Sequence, residues 1–148
     1  MSRLRSILVL LLALTTTVLV SCSGPQAVIP TTYSPEKIAQ LQLYAVPVEA
    51  AKEKMENLKT LISDQNWVDV RTYIHGPLGQ LRQDMLGLSR SLLPKDQPQA
   101  RALSKEVFGH LERLDAAAKD RNLNLAGTQY REALEDFTAF LELIPQAS

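Results

Sequence analysis

Leu41, Val48, Met55 and Ile62 recur every seven residues, and Ile38, Ala51 and Leu58 fall on the same side of a 3.6-residue helix. Apolar residues at that spacing build one continuous stripe, which a helix has to bury against other helices. The same period governs the chain downstream of Tyr33, and no segment sustains the two-residue alternation of a strand. The fold class is therefore expected to be all-α.

Four helices can be marked out. Ser34 is placed as an N-cap with Pro35 at N1, where a missing N–H costs nothing. Pro47 removes the hydrogen bond to the Leu43 carbonyl, yet the apolar phase runs through it, which predicts one kinked helix over 35–63. Asn66 caps the second helix, with Asp69 favoured at N3 by the dipole. Val70, Ile74, Leu78, Leu81, Met85, Leu88 and Leu92 then step by threes and fours, and His75-Gly76-Pro77 interrupts without a change of phase. Pro94-Lys95-Asp96 ends that helix and caps the third, over 97–121, which buries Leu103, Val107, Leu111, Leu114 and Ala118. Asn122-Leu123-Asn124 is read as a connection to the fourth, over 125–143, which carries Tyr130, Leu134, Phe137, Leu141 and Ile144 and is stopped by Pro145. Helices joined by such short links fold back on one another. Residues 34–148 are thus expected to form an up-down-up-down antiparallel four-helix bundle with a flexible N-terminal tether. At 1.5 Å per residue its helices measure roughly 44, 40, 37 and 28 Å, which makes it slender.

The first 33 residues have a different character. Arg3 and Arg5 precede a charge-free apolar run from Ile7 to Val20. A spanning helix needs about 20 apolar residues, so the run fits a signal h-region instead. Leu19-Val20-Ser21-Cys22 then supplies an apolar residue, a small residue and a cysteine, the pattern that bacterial lipoprotein signal peptidase requires. Residues 1–21 are expected to be a lipoprotein signal peptide. Cys22 is the candidate lipid anchor, with diacylglycerol on its thiol, and residues 22–33 form a lipidated tether rich in turn formers.

Removal of residues 1–21 from the 148 leaves 127, enough for one domain that buries roughly two-thirds of its unfolded surface. The signal takes two of the sixteen basic residues, so the remainder is slightly acidic and no nucleic acid partner is expected. With its single cysteine acylated, the chain has no disulfide, thiolate zinc site or thiol redox chemistry open to it.

His75 and His110 are the two histidines. Glu106 and His110 stand four apart on one helical face, a spacing suited to a divalent cation. Two ligands fall short of the three or four that zinc uses, so the pair is a candidate for adventitious zinc or copper and no metal is assigned. Glu-x-x-His, the di-iron signature, does not occur. Haem held between a methionine and a histidine would draw on Met55 or Met85, which lie in apolar stripes and read as core filler. No nucleophile elbow or phosphate-cradling loop is present either, so enzymatic activity and a tightly bound cofactor are not expected. Trp67 reads as a plug for the end of the bundle or as a partner-binding anchor.

Trp67, Leu81-Arg82-Gln83-Asp84, Pro94-Lys95-Asp96, Leu114-Asp115-Ala116-Ala117-Ala118-Lys119 and Tyr130 follow one another in an order and spacing that resembles the PsbQ family. This is the small extrinsic subunit of photosystem II, and the lipobox matches its cyanobacterial lipoprotein branch. The resemblance implies a non-catalytic bundle, anchored by lipid to the lumenal side of the thylakoid membrane and docked on photosystem II. Such a subunit covers the oxygen-evolving machinery, supports calcium and chloride retention and stabilises the dimer. Its implied partners are the lumenal loops of the photosystem II core and the manganese-stabilising extrinsic protein. Trp67, Arg82, Asp84, Lys95, Asp96 and Lys119 stand in the matching motifs and are put forward for docking. Read without that resemblance, the residues leave a rival: a generic envelope lipoprotein whose helical bundle binds a metal or small ligand.

Overall fold

In the computed structural model, which describes residues 30–146, helix α1 spans Pro35–Ser63 and begins where the sequence places it. The Lys37 N–H donates to Ser34 Oγ at 3.2 Å, and Pro35 takes the first turn. Leu41, Ala45, Val48, Ala51, Met55, Leu58 and Ile62 are buried along one face. Pro47 sits inside the helix without ending it. The bond it cannot make falls on the solvent side of the helix, where Leu43 is 72% exposed and Pro47 is exposed too. Cys22, the expected signal peptide and the tether up to residue 29 lie outside the described residues.

The second expected helix is two. Helix α2 spans Trp67–His75 and α3 spans Leu81–Ser91, with turns over 76–80. The difference from Pro47 lies in the neighbours. Pro77 is flanked by Gly76 and Gly79, and the chain tightens until a Cβ at Gly79 would meet the His75 carbonyl oxygen at 2.7 Å. Only glycine allows that approach. The apolar phase survives the break, since Ile74, Leu78 and Leu81 are all buried. Asn66 occupies the N-cap position of α2, but its side chain makes no cap bond; its amide donates to Asp69 Oδ2 at 2.6 Å instead.

Helix α4 spans Gln97–Lys119 and α5 spans Leu123–Glu142. The expected link Asn122-Leu123-Asn124 is the start of α5, because Asn122 Oδ1 accepts from the Leu125 N–H at 3.1 Å and caps the helix two residues early. The core departs from expectation at one place on α4: Leu103 is half-buried, and its neighbour Ser104 is buried. Ser89 on α3 and Ser104 lie 3.4 Å apart, each also donating to the carbonyl four residues back.

Two turns are built alike. At Asp64-Gln65-Asn66, the Gln65 N–H reaches the Ile62 carbonyl and the Asn66 N–H that of Leu61, both at 3.0 Å. At Asp120-Arg121-Asn122, the Arg121 N–H reaches Ala118 at 3.1 Å and the Asn122 N–H reaches Ala117 at 2.9 Å. Both are Schellman ends, and both place a residue other than glycine at φ 54°, Gln65 in one and Arg121 in the other.

Contacts between neighbouring helices pair rising numbers with falling ones. From α1 outward, Tyr33 meets Asp96, Lys54 meets Pro77 and Asn57 meets Tyr73. Between α2–α3 and α4, Ser89 meets Ser104, Arg82 meets Glu112 and Arg71 meets Asp115. Gln42 near the start of α1 donates to the Pro145 carbonyl after α5 at 2.6 Å. The interior is filled by Phe137, Phe140, Leu41, Met55, Leu58 and their neighbours, each large side chain worth roughly 1.5–3 kcal/mol of burial. The described residues form five helices and no strand. No helix among them is long and apolar enough to cross a membrane.

Candidate functional site

Trp67 opens α2 half-buried against the core. Arg71 and His75 follow at intervals of four, which sets all three on one helical face. That face looks toward the last turns of α4. Arg71 Nε donates to Asp115 Oδ1 at 3.1 Å, and His75 Nε2 lies 3.1 Å from the same oxygen. Lys119 and Arg121 stand beyond Asp115 with no ion-pair partner among the described residues. Together these residues border an open groove of about 500 Å3 that carries four basic side chains and no carboxylate on its lining. Val68, 75% exposed, adds an apolar edge beside Trp67. A cationic recess with an aromatic wall suits an acidic surface carrying an apolar side chain.

Trp67 and Lys119 are thus brought together; the other residues put forward for docking lie elsewhere. Arg82 stacks over the Phe108 ring at 4.4 Å from its centroid and pairs with Glu112 at 2.7 Å. Asp84 accepts from Gln80 Nε2 at 3.2 Å, on the side of α3 that looks toward Tyr44 and Pro47. Lys95 and Asp96, 3.9 Å apart, sit at the far end of the molecule. Asp96 there accepts from the Tyr33 hydroxyl at 2.7 Å, while Tyr33 Oη accepts from the Leu93 N–H at 3.1 Å. Burial pushes the Tyr33 phenol up to about 12. Arg71 and Val68 were not singled out from the sequence, and Arg121 reads there as plain solvated charge beside Lys119. The signal for Arg71 and His75 was their four-residue spacing from Trp67, but the acid that holds them is 44 residues away from Arg71.

His110 does not turn toward Glu106. Its ring points across to α5, where Nδ1 lies 3.1 Å from Glu132 Oε2 and Nε2 lies 3.4 Å from Asp136 Oδ2. Gln129 Oε1 is 3.0 Å from Nδ1, and Arg113 approaches the same nitrogen at 2.8 Å. Burial raises the Asp136 carboxyl above its ordinary value, against the pull of His110 and with help from Glu106, Glu135 and Glu132. Among the described residues no three His, Cys, Asp or Glu side chains are grouped to hold a metal ion.

Fold and surface together define a class: all-helical proteins with a basic, aromatic-edged groove on the surface. The chain matches, over residues 2–145, the family model described as PsbQ, oxygen evolving enhancer protein 3. It is 71% identical over 149 residues to CyanoQ of Synechocystis sp., with 100% of each chain covered. The chain belongs to the PsbQ family.

Proposed function

We propose that this protein is an extrinsic, non-catalytic subunit of photosystem II that docks on its lumenal face and stabilises the oxygen-evolving complex. The observation that carries the reading is a family match spanning nearly the whole chain, joined to 71% identity with CyanoQ. In this role the subunit supports calcium and chloride retention and dimer stability by occupying surface, with no chemistry of its own. Its partners are the lumenal core loops and the manganese-stabilising extrinsic protein. The groove beside Trp67, with Lys119 and Arg121 unpaired, meets acidic surface on one of them. Arg82, Asp84, Lys95 and Asp96 contribute at the margins of a wet, salt-sensitive contact.

Cys22, acylated after removal of residues 1–21, holds the protein at the thylakoid membrane. Confinement to a surface raises its effective concentration there, so a modest interface suffices. The domain is a four-helix bundle of up-down-up-down sense in which α2 and α3 make one leg joined at Pro77. The opposed residue pairings along neighbouring helices support that arrangement, and a crystal structure with two parallel neighbouring legs would overturn it.

Fractionation tests the functional reading. The full-length protein should co-migrate with oxygen-evolving photosystem II from thylakoids and leave it on a high-salt wash. Recovery in outer- or plasma-membrane fractions would favour a generic envelope lipoprotein instead. Charge reversal at Lys119 and Arg82 should lower retention in low salt, and mass spectrometry of the mature N-terminus should find a diacylglyceryl cysteine at position 22.

A further inference from the structure

We infer that the seam between α1 and α5 holds a second binding groove, one that takes an acidic, apolar-flanked segment of a partner polypeptide. The groove lies between the last turns of α1 and the first half of α5 and encloses about 730 Å3. Helix α5 lies chiefly on α4 and meets α1 more sparingly, so this is the seam with room. Ile62, Leu123 and Leu134 make apolar walls, while Lys59 and Arg131 bring two cations, and no carboxylate stands on the lining.

Those cations are free to meet a ligand. Arg131 makes no ion pair among the described residues and donates only to the Thr128 hydroxyl, at 3.1 Å. Lys59 has a loose, exposed partner in Glu56 at 3.8 Å, a kind of pair that contributes little.

Tyr130 supplies the second, independent observation. Its side chain lines the groove and is 5% exposed, yet its hydroxyl finds no acceptor among the described residues. Buried hydroxyls are rarely left this way, and each exception calls for an explanation. Burial, with Glu56 nearby, pushes the phenol up to about 12. The hydroxyl is therefore a donor without an internal acceptor among the described residues, and a small turn of the phenol toward the groove would bring it to an entering carboxylate or carbonyl.

An extended peptide fits better than a bilayer. Membrane insertion calls for a continuous apolar face, whereas here Ser63, Asn124 and Thr128 interleave with the apolar walls and suit the polar groups of a peptide backbone. Beyond the wall at Leu123, itself 40% exposed, Leu125 adds a second apolar side chain at 44% exposure. This inference does not depend on which complex the protein joins.

The test uses the full-length protein labelled with 15N and a capped octapeptide that alternates Glu and Leu. A Gln–Leu peptide and phosphatidylglycerol vesicles serve as comparison probes. Amide shifts at Gly127 and Thr128 report on this groove, and the fluorescence of Trp67, the single tryptophan, reports on the other. The Glu–Leu peptide should move Gly127 and Thr128, and this response should persist in Lys119→Gln, which weakens the first groove only. Arg131→Gln should weaken its binding about tenfold, the loss of one charge-assisted bond. Tyr130→Phe should weaken it about fivefold while raising Tm, since an unpaired buried hydroxyl is removed. Equal binding of the Gln–Leu peptide, shifts confined to Trp67, or preferential binding to vesicles would each overturn the proposal. So would a lower Tm and unchanged affinity in Tyr130→Phe, because the hydroxyl would then have an internal partner. None of those results bears on retention by photosystem II, which fails or holds separately.

Discussion

The two ends of this molecule are made differently. Where α1 begins, Tyr33 joins the chain to Leu93 and Asp96, and Gln42 joins α1 to the Pro145 carbonyl, so polar groups there are spent on one another. About 44 Å away along the 29 residues of α1, the turns at Gln65 and Arg121 accept a left-handed residue that is not glycine, and Lys119 and Arg121 make no ion pair among the described residues. One end is closed by internal hydrogen bonds. The other carries backbone cost and unspent charge, which is where contact with another molecule gains most.

The sharpest way to break that contrast is at Trp67. Trp67→Ala should weaken binding to photosystem II by about 2–4 kcal/mol, a loss of thirtyfold or more, as for aromatic anchors elsewhere. Circular dichroism should stay helical; unchanged affinity would remove the functional half of the comparison. At the closed end, Tyr33→Phe should cost about 1–3 kcal/mol in urea unfolding, because the Asp96 carboxylate and the Leu93 N–H both lose a partner. Docking should be unaffected. The same pair carries a pH signature. Tyr33 is raised from 10.0 to about 12, so its contribution is whole below pH 10 and fades as pH rises through about 12. The stability gap between wild type and Tyr33→Phe should shrink over that window, and a constant gap would contradict it.

Smaller effects sharpen the picture of the open end. Arg121→Gly and Gln65→Gly should each stabilise by about 1 kcal/mol by removing the left-handed penalty. Only Arg121→Gly should also lower retention on photosystem II. If both lower it, or neither does, the Arg121 side chain has no place in the contact. Least of all, His75→Gln should change stability by less than about 0.5 kcal/mol, since an exposed pair is lost and Asp115 keeps Arg71; differential scanning calorimetry would detect a larger shift.

Helix content was legible wherever a local rule decided it. Ser34-Pro35 marks the start of α1, and the seven-residue stripe carries that helix past Pro47, which no glycine flanks. Pro77 reads the same in the apolar pattern, yet the chain breaks there. The reason is an approach of Gly79 to the His75 carbonyl that periodicity does not express. Asn122 resembles a linker residue, and only its bond to the Leu125 N–H reveals it as a cap. The surface was less legible still. Trp67 and Lys119 stand in recognisable motifs, but their meeting depends on α2 lying against α4. His110 found its partners 22 and 26 residues downstream in place of Glu106 four residues upstream, because packing of α4 on α5 outranks spacing within one helix.

The Tyr33 latch has a mechanical meaning as well. Any pull on the leading segment arrives at residue 33 before it reaches the first turn of α1, and there it is shared with the backbone of Leu93 and the acid at position 96. Tension is thereby handed to the α3–α4 corner, and the longest helix is spared from unravelling from its own N-terminus.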